Sequence, residues 1–435
     1  MSIFSSVQAF CGFFFLIFAA FIFSENKKSI NWKLILSAFI LLNIMFLVIR
    51  YVPFAQSVLS HISGVLLSLL EYSKEGAKFV FGGFVDEKKF GFIFVLFIVP
   101  TLIFFGALIG ALYFFGIIQW VINFLAFCLR KSVRLSGVES LILIADIFLG
   151  QTEGPLVIGP YIKSMTRSEL ALAFTAGLAN ISGSTLAMYL AFLSAGDPSS
   201  TIKFANYLVT ASVMNALTAI IFAKIIFPET DINNVSTEKI SVKMHGGSSL
   251  IDSIYQGALT GFKVSATMMA ILMAVISLIY MLNGLLGYIG NVIHINTFIT
   301  QTTNGVFNGL SLQYILGQLF RIFAFFMGIP WSETLKVGSL LGQKVVINEF
   351  VAYMSLADMK IAHVLSQQAI YISTFALASF SNFSSIGISL GAYSVLAPSR
   401  QQELTLLAWK ALYGAVLAGF ATATVAGFWL GIVGW

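Results

Sequence analysis

The sequence predicts an all-α integral membrane fold with about eight transmembrane helices, two re-entrant hairpins and an inverted repeat. Three observations lead there: too little charge for a water-facing surface, apolar runs of bilayer length, and two similar polar interruptions inside that apolar chain. Of 435 residues, 58% are hydrophobic and 10% charged, and the mean hydropathy is +0.93. A soluble domain carries about a quarter charged residues, so most of this chain requires lipid as its solvent.

A spanning helix needs about 20 mostly apolar residues, and the chain is divided on that basis. Residues 1–90 are read as N-terminal scaffold, with spans at 7–24 and 32–52. The first run lacks a basic leader and a small-residue cleavage site, so it is expected to be retained. Segment 54–84 mixes Ser, His, Glu and Lys with Leu and Phe at helical spacing, the pattern of an interfacial helix or a connection. Residues 91–134 hold a scaffold span at 91–118 and its connection. Residues 135–226 form a first repeat, with a hairpin, an interrupted span at 168–194 and a continuous one at 202–226. Residues 227–330 return to scaffold, with a span at 264–288 and an interface-like segment at 311–330 containing Arg321. Residues 331–435 form the second repeat: hairpin, interrupted span 365–396 and final span 403–431.

The net charge of +6 comes from Lys and Arg in the connections. Lys27, Lys28 and Lys33, then Arg130, Lys131 and Arg134, then Arg400 mark loops that positive-inside orientation places in the cytoplasm, with both termini outside. The loop 228–246 is nearly balanced and votes weakly. With no basic stripe interleaved with aromatics, nucleic acid is not an expected partner; the lipid bilayer is. Cys11 and Cys128 lie far apart in apolar runs, as inert core residues rather than a disulfide, and the four histidines lack metal-ligand spacing.

The repeat points to the functional residues. One copy holds Gly150-Gln151-Thr152-Glu153-Gly154-Pro155 and then Asn180-Ile181-Ser182-Gly183-Ser184; the other holds Asn348-Glu349-Phe350 and then Asn382-Phe383-Ser384-Ser385. Interrupted helices at matching places in two halves are the pattern of a transporter's substrate site. Apolar arms too short to cross flank Gly150–Pro155, so the chain is expected to reverse there, with Gln151, Thr152 and Glu153 at a re-entrant tip. The alternative is a surface loop with Glu153 solvated. If the segment is helical, Glu139, Asp146 and Glu153 share one face at seven-residue spacing, as in a cation path or proton relay; Glu139 is better read as an interfacial ion pair with nearby Arg134. In the second copy Lys344 and Asn348, four apart, are expected to share a face. Small residues in 379–389 suit helix packing, but Asn382 needs partners wherever it is buried.

The runs Gly150-Gln-Thr-Glu-Gly-Pro155, Gly342-Gln-Lys with Asn348-Glu-Phe-Val-Ala-Tyr353, and Asn382-Phe-Ser-Ser-Ile-Gly387 resemble the signature motifs of the concentrative nucleoside transporter family, of bacterial nucleoside permease type. The similarity runs in family order from about residue 90 onward. It implies a homotrimer in the cell (inner) membrane, each protomer with a site built from two hairpins and two unwound helices. It implies symport of nucleosides driven by a cation gradient, with Na+ or H+ as coupling ion and no cofactor. By the same resemblance Gln151, Thr152 and Glu153 contact the nucleobase with Thr185 beside them; Glu349, Asn382 and Ser385 bind the ribose hydroxyls and Phe380 packs alongside. Asp146, Asn180 and the backbone carbonyls of Leu149 and Ile181 form the sodium or proton coupling site. The family usually has Asn at Asp146, Ser or Thr at Asn180 and an apolar residue at Thr185, which leaves the ion and the base preference open. A membrane-embedded enzyme is disfavoured, since there is no nucleophile elbow, no H-E-x-x-H, and Gly338–Lys344 lacks phosphate-loop spacing. A passive channel and a symporter of another polar solute, such as an amino acid, are the remaining alternatives.

Overall fold

The structure, a computed structural model, describes residues 3–90, 93–194, 200–235 and 247–433; His245 and most of the loop 228–246 lie outside the described residues. It is helical throughout, with no strand among the described residues.

The N-terminal part comprises α1 (Ile3–Ile22), α2 (Trp32–Tyr51), α3 (Pro53–Phe81), the short α4 (Glu87–Phe90) and α5 (Phe94–Phe114). The predicted span 91–118 is in fact two helices. Gly116, at φ 72°, ends the first and starts α6 (Ile117–Val133), an amphipathic helix the apolar run concealed. It buries Ile118, Ile122, Ala126, Leu129 and Val133 on one stripe. Then come α7 (Gly137–Ile158), α8 (Arg167–Ala179), α9 (Gly183–Ser194) and α10 (Thr201–Ile226). The predicted span 264–288 is only the middle of α11 (Leu250–Val292), whose 43 residues make it longer than a bilayer is thick. The chain closes with α12 (Ile295–Thr302), α13 (Leu312–Phe326), α14 (Trp331–Val346), α15 (Glu349–Ile361), α16 (Gln367–Leu377), α17 (Phe383–Leu396) and α18 (Gln401–Val433).

Nine helices among the described residues are long and apolar enough to cross a bilayer, including the 53–85 segment and the bent 137–161 segment. Setting those two aside and joining the halves of 365–396 returns about eight crossings. The order of elements repeats: an amphipathic helix (α6, α13), a folded-back pair of arms (α7; α14 with α15), a broken helix (α8 with α9; α16 with α17) and a long buried helix (α10, α18). Long α11 lies against α5 at glycine contacts. A Cβ on Gly257 would sit 2.1 Å from the Gly106 carbonyl oxygen, and one on Gly261 2.1 Å from that of Leu102, so only glycine permits the approach.

Three sequence expectations fail for local reasons. Glu139 does not pair with Arg134. A capping box turns its carboxylate back to the Ser136 N–H, and there the buried Lys224 of α10 meets it. Glu139, Asp146 and Glu153 do not share a face, because the helix breaks at Gly150 between the last two. Lys344 and Asn348 likewise fall on either side of a break at Ile347. The cysteines are free thiols, as expected, but exposed on outer helix faces rather than in the core.

Candidate functional site

Gly150, at φ 75° and ψ −173°, occupies backbone space that is essentially glycine-only. The chain reverses there. Gly154 lies against the Asp146 carboxylate and near Ile142, contacts impossible along a straight helix. The second reversal is at Ile347–Asn348, where Ser355 of one arm donates to Gln343 Oε1 of the other at 2.7 Å. Asn348 accepts from the Val351 N–H at 3.0 Å and so starts α15 with its own side chain.

The broken helices meet the hairpin tips. Residues 180–182 interrupt one and 378–382 the other, and the Phe380 N–H donates to the Asn180 carbonyl at 3.3 Å, joining the two breaks. A Cβ on Gly150 would lie 3.0 Å from the Ser182 side chain and 3.2 Å from the Phe380 ring, so the first tip is wedged between both breaks. Backbone freed from helical pairing at this depth is tolerated because it is enclosed by protein and faces a cavity.

That cavity, about 330 Å³, is lined by Gln151, Thr152, Glu153, Thr185, Glu349, Phe380, Asn382 and Ser385, every substrate-contacting residue expected from the sequence. Residues 234 and 238 positions apart in the chain thus become neighbours: Gln151 Nε2 donates to Ser385 Oγ at 3.2 Å, and Ser389 Oγ donates to Gln151 Oε1 at 3.2 Å. Glu349 accepts from Tyr189 Oη at 3.1 Å and from Asn382 Nδ2 at 2.6 Å, one partner for each carboxylate oxygen. Asn382 Oδ1 accepts from the Ser385 N–H at 2.8 Å and Ser384 Oγ at 2.6 Å, which caps α17. Beside this network Lys344, fully buried, donates to the Ala376 carbonyl at 2.7 Å, at the C-terminal end of α16.

Sequence reasoning missed several lining or supporting residues. Tyr189 and Ser389 carry no sequence signal, since only the fold brings them to Glu349 and Gln151. Lys263, Thr267 and Met268 line the cavity from α11. A cation abutting an apolar run was the available clue to Lys263.

The expected coupling group lies behind the first tip. Asp146 is fully buried and neither of its oxygens has a hydrogen-bond partner; Asn180 Oδ1 and the Tyr393 hydroxyl are also buried and unpartnered. An ionised carboxylate so placed demands a cation or a proton. Among the described residues no three His, Cys, Asp or Glu gather, here or elsewhere.

Family descriptions match nearly the whole length: "Na+ dependent nucleoside transporter N-terminus" over residues 11–84, "Nucleoside recognition" over 95–196 and "Na+ dependent nucleoside transporter C-terminus" over 207–427. The chain belongs to the concentrative nucleoside transporter family. It is 34% identical to nucleoside permease NupC of Helicobacter pylori over 438 residues, covering 99% of each chain. Against human solute carrier family 28 member 3 it is 31% identical over 434 residues, 96% of this chain and 59% of that one. The structure of CNTnw in an inward-facing substrate-bound state superposes with a TM-score of 0.87 at 35% identity, covering 99% of both chains. This concentrative nucleoside transporter is therefore a multi-pass membrane protein of the inner membrane, a cation-coupled nucleoside uptake system and not an enzyme.

Proposed function

We propose that the cavity holds one nucleoside with its base against Gln151, Thr152, Glu153 and Thr185 and its ribose against Glu349, Asn382 and Ser385, with Phe380 beside the sugar. The observation that carries this is the Glu349–Asn382 pair. Each Glu349 oxygen has one protein donor and keeps lone-pair capacity for a ribose hydroxyl, while Asn382 Nδ2 retains a second hydrogen. A vicinal diol, which both donates and accepts at neighbouring hydroxyls, satisfies that arrangement. Gln151 is tied to Ser385 and Ser389, so base and ribose halves tighten as one unit.

For the coupling ion we propose a proton taken up by Asp146. Oδ1 packs against Gly154 and Oδ2 faces Gly177, where a Cβ would come within 2.0 Å and 3.8 Å of them. A proton fits that close packing without a coordination shell. The second reading, sodium held by Asp146, Asn180 and the carbonyls of Leu149 and Ile181, is favoured by the unpartnered Asn180 Oδ1 and by the sodium dependence in the family's description. In either case the ion neutralises the hairpin tip that carries Gln151 to Glu153, so ion and nucleoside favour each other's binding. A homotrimer, with one site per protomer, completes the proposal.

The test is uptake of radiolabelled uridine and adenosine into proteoliposomes under separately imposed sodium and pH gradients. A pH gradient alone should drive uptake; dependence on sodium alone would transfer the coupling to the second reading. Strong competition by an amino acid, with none by uridine, would overturn the substrate assignment.

A further inference from the structure

A second cavity, about 600 Å³, is lined by Asn123, Phe127, Arg130, Lys131 and Arg134 of the α6 region and by Gly137 and Ser140 of α7 among others, and shares no residue with the nucleoside cavity. We propose that it binds the phosphate headgroup of an anionic phospholipid.

The placement of α6 supports this. One stripe of the helix is buried, whereas Trp120, Phe124 and Phe127 are 69%, 54% and 64% exposed and the first two rings stack at 5.9 Å. Aromatics on one face and cations at one end describe a helix lying at the lipid headgroup level. The groove runs down the face bearing Asn123, Phe127, Arg130 and Arg134, so that a lipid lying in it would meet the ring of Phe127 with its acyl chain and Lys131 and Arg134 with its phosphate. Among the described residues no carboxylate lines it. The nearest acid on α7, Glu139, is consumed by buried Lys224. The small residues Gly137 and Ser140 form the opposite wall and leave room for a headgroup.

A simpler account is that basic residues in the last turn compensate the carboxyl end of α6. It covers Arg130 and Lys131 but not Arg134, which lies beyond the helix in a left-handed conformation, φ 60°, and still lines the groove. Positive-inside orientation accounts for charge on this side of the membrane, but it needs no cavity. Because Gly137 and Ser140 belong to the arm that continues to Asp146, a bound headgroup would rest on the first hairpin itself.

The experiment uses the purified full-length protein in a neutral detergent, titrated with short-chain phosphatidylglycerol or phosphatidylcholine while the thermal midpoint is followed. Phosphatidylglycerol should raise the midpoint saturably, and phosphatidylcholine should not. Lys131→Gln/Arg134→Asn, in which asparagine tolerates the left-handed backbone, should raise the half-saturating concentration by about tenfold or more. Lys27→Gln/Lys28→Gln removes as much charge from another loop and should leave it unchanged. Equal losses in both double variants, or in neither, would overturn the site. Inorganic phosphate reproducing the full shift would replace the lipid by a soluble anion. Uridine binding measured on the same samples shows that any loss is separate from the nucleoside site.

Discussion

The two hairpins solve the same problem, polar side chains at bilayer depth, in opposite ways. In the second, nearly every polar group has a protein partner. Lys344 holds the Ala376 carbonyl, Glu349 is held by Tyr189 and Asn382, and Gln343 is held by Ser355. In the first, Asp146 has no partner at either oxygen, and the tip is positioned by a glycine wedged between two helix breaks. A network whose members each hold a partner is rigid and specific, while a buried acid with no partner is poised to take up an ion. The difference agrees with the proposal that the second hairpin recognises the sugar and the first responds to the ion.

The largest effect that can break this assignment is Glu349→Gln. The amide keeps the shape but presents an N–H2 toward Asn382 Nδ2 or Tyr189 Oη and loses acceptor capacity for the ribose. Removing one partner of a buried, hydrogen-bonded charge costs roughly 2–5 kcal/mol, so uridine affinity by calorimetry should fall about 100-fold or more. Wild-type affinity would remove Glu349 from the site. Next is Gly150→Ala, which forces a side chain into a glycine-only conformation at a cost of about 1–3 kcal/mol, with its Cβ 3.0 Å from Ser182. Both the thermal midpoint and uptake should drop; an unchanged midpoint would show that the tip is not wedged as described.

Asp146→Asn sharpens the contrast. It removes the charge while keeping the shape, so the pH-gradient component of uridine uptake should disappear, about a tenfold loss of driven rate, and sodium should become stimulatory. Nucleoside affinity measured with the ion saturating should change little, because Asp146 does not line the cavity. Proton-driven uptake that persists at the wild-type rate would exclude Asp146 as the coupling group.

The contrast between hairpins was only half legible in the sequence. The breaks could be read because Gly150, Asn348 and Asn382 are residues that end or start helices in otherwise apolar runs. The convergence of the two motifs followed from the repeat and the family resemblance. Local periodicity could not show that Glu139 faces Lys224, since that pairing depends on where α10 ends relative to a capping box 85 residues earlier in the chain. Nor could it show α6 as a separate helix. Its stripe is amphipathic, but a preceding span with no polar break except Gly116 hides its start. Tyr189 and Ser389 were invisible for the same reason: a residue that serves another element's side chain leaves no pattern in its own.

The smallest effect asks whether hairpin chemistry differs from ordinary surface electrostatics in the same elements. Arg167, at the start of the broken helix α8, makes a bidentate pair with Glu25 at 2.9 and 3.0 Å, and Lys410 of α18 reaches the same carboxylate at 3.2 Å. Glu25 lies in the connection between α1 and α2, outside the spanning segments, and all three groups are partly exposed, so the pair should be worth less than about 1 kcal/mol. The Arg167 hydrogen bond holds the Glu25 carboxyl below its ordinary value of 4.5. A depressed carboxyl contributes stability that is present above the unfolded value and fades as pH falls through the folded one. Arg167→Ala should therefore lower the thermal midpoint slightly at neutral pH, and the gap from wild type should close below about pH 4.5, where the unfolded chain begins to take up the proton. Salt should shrink the same gap, whereas the losses in Glu349→Gln and Gly150→Ala should resist it, because buried contacts are little screened. If Arg167→Ala matched those two in size and in salt resistance, the separation drawn between the hairpin interior and its surface supports would fail.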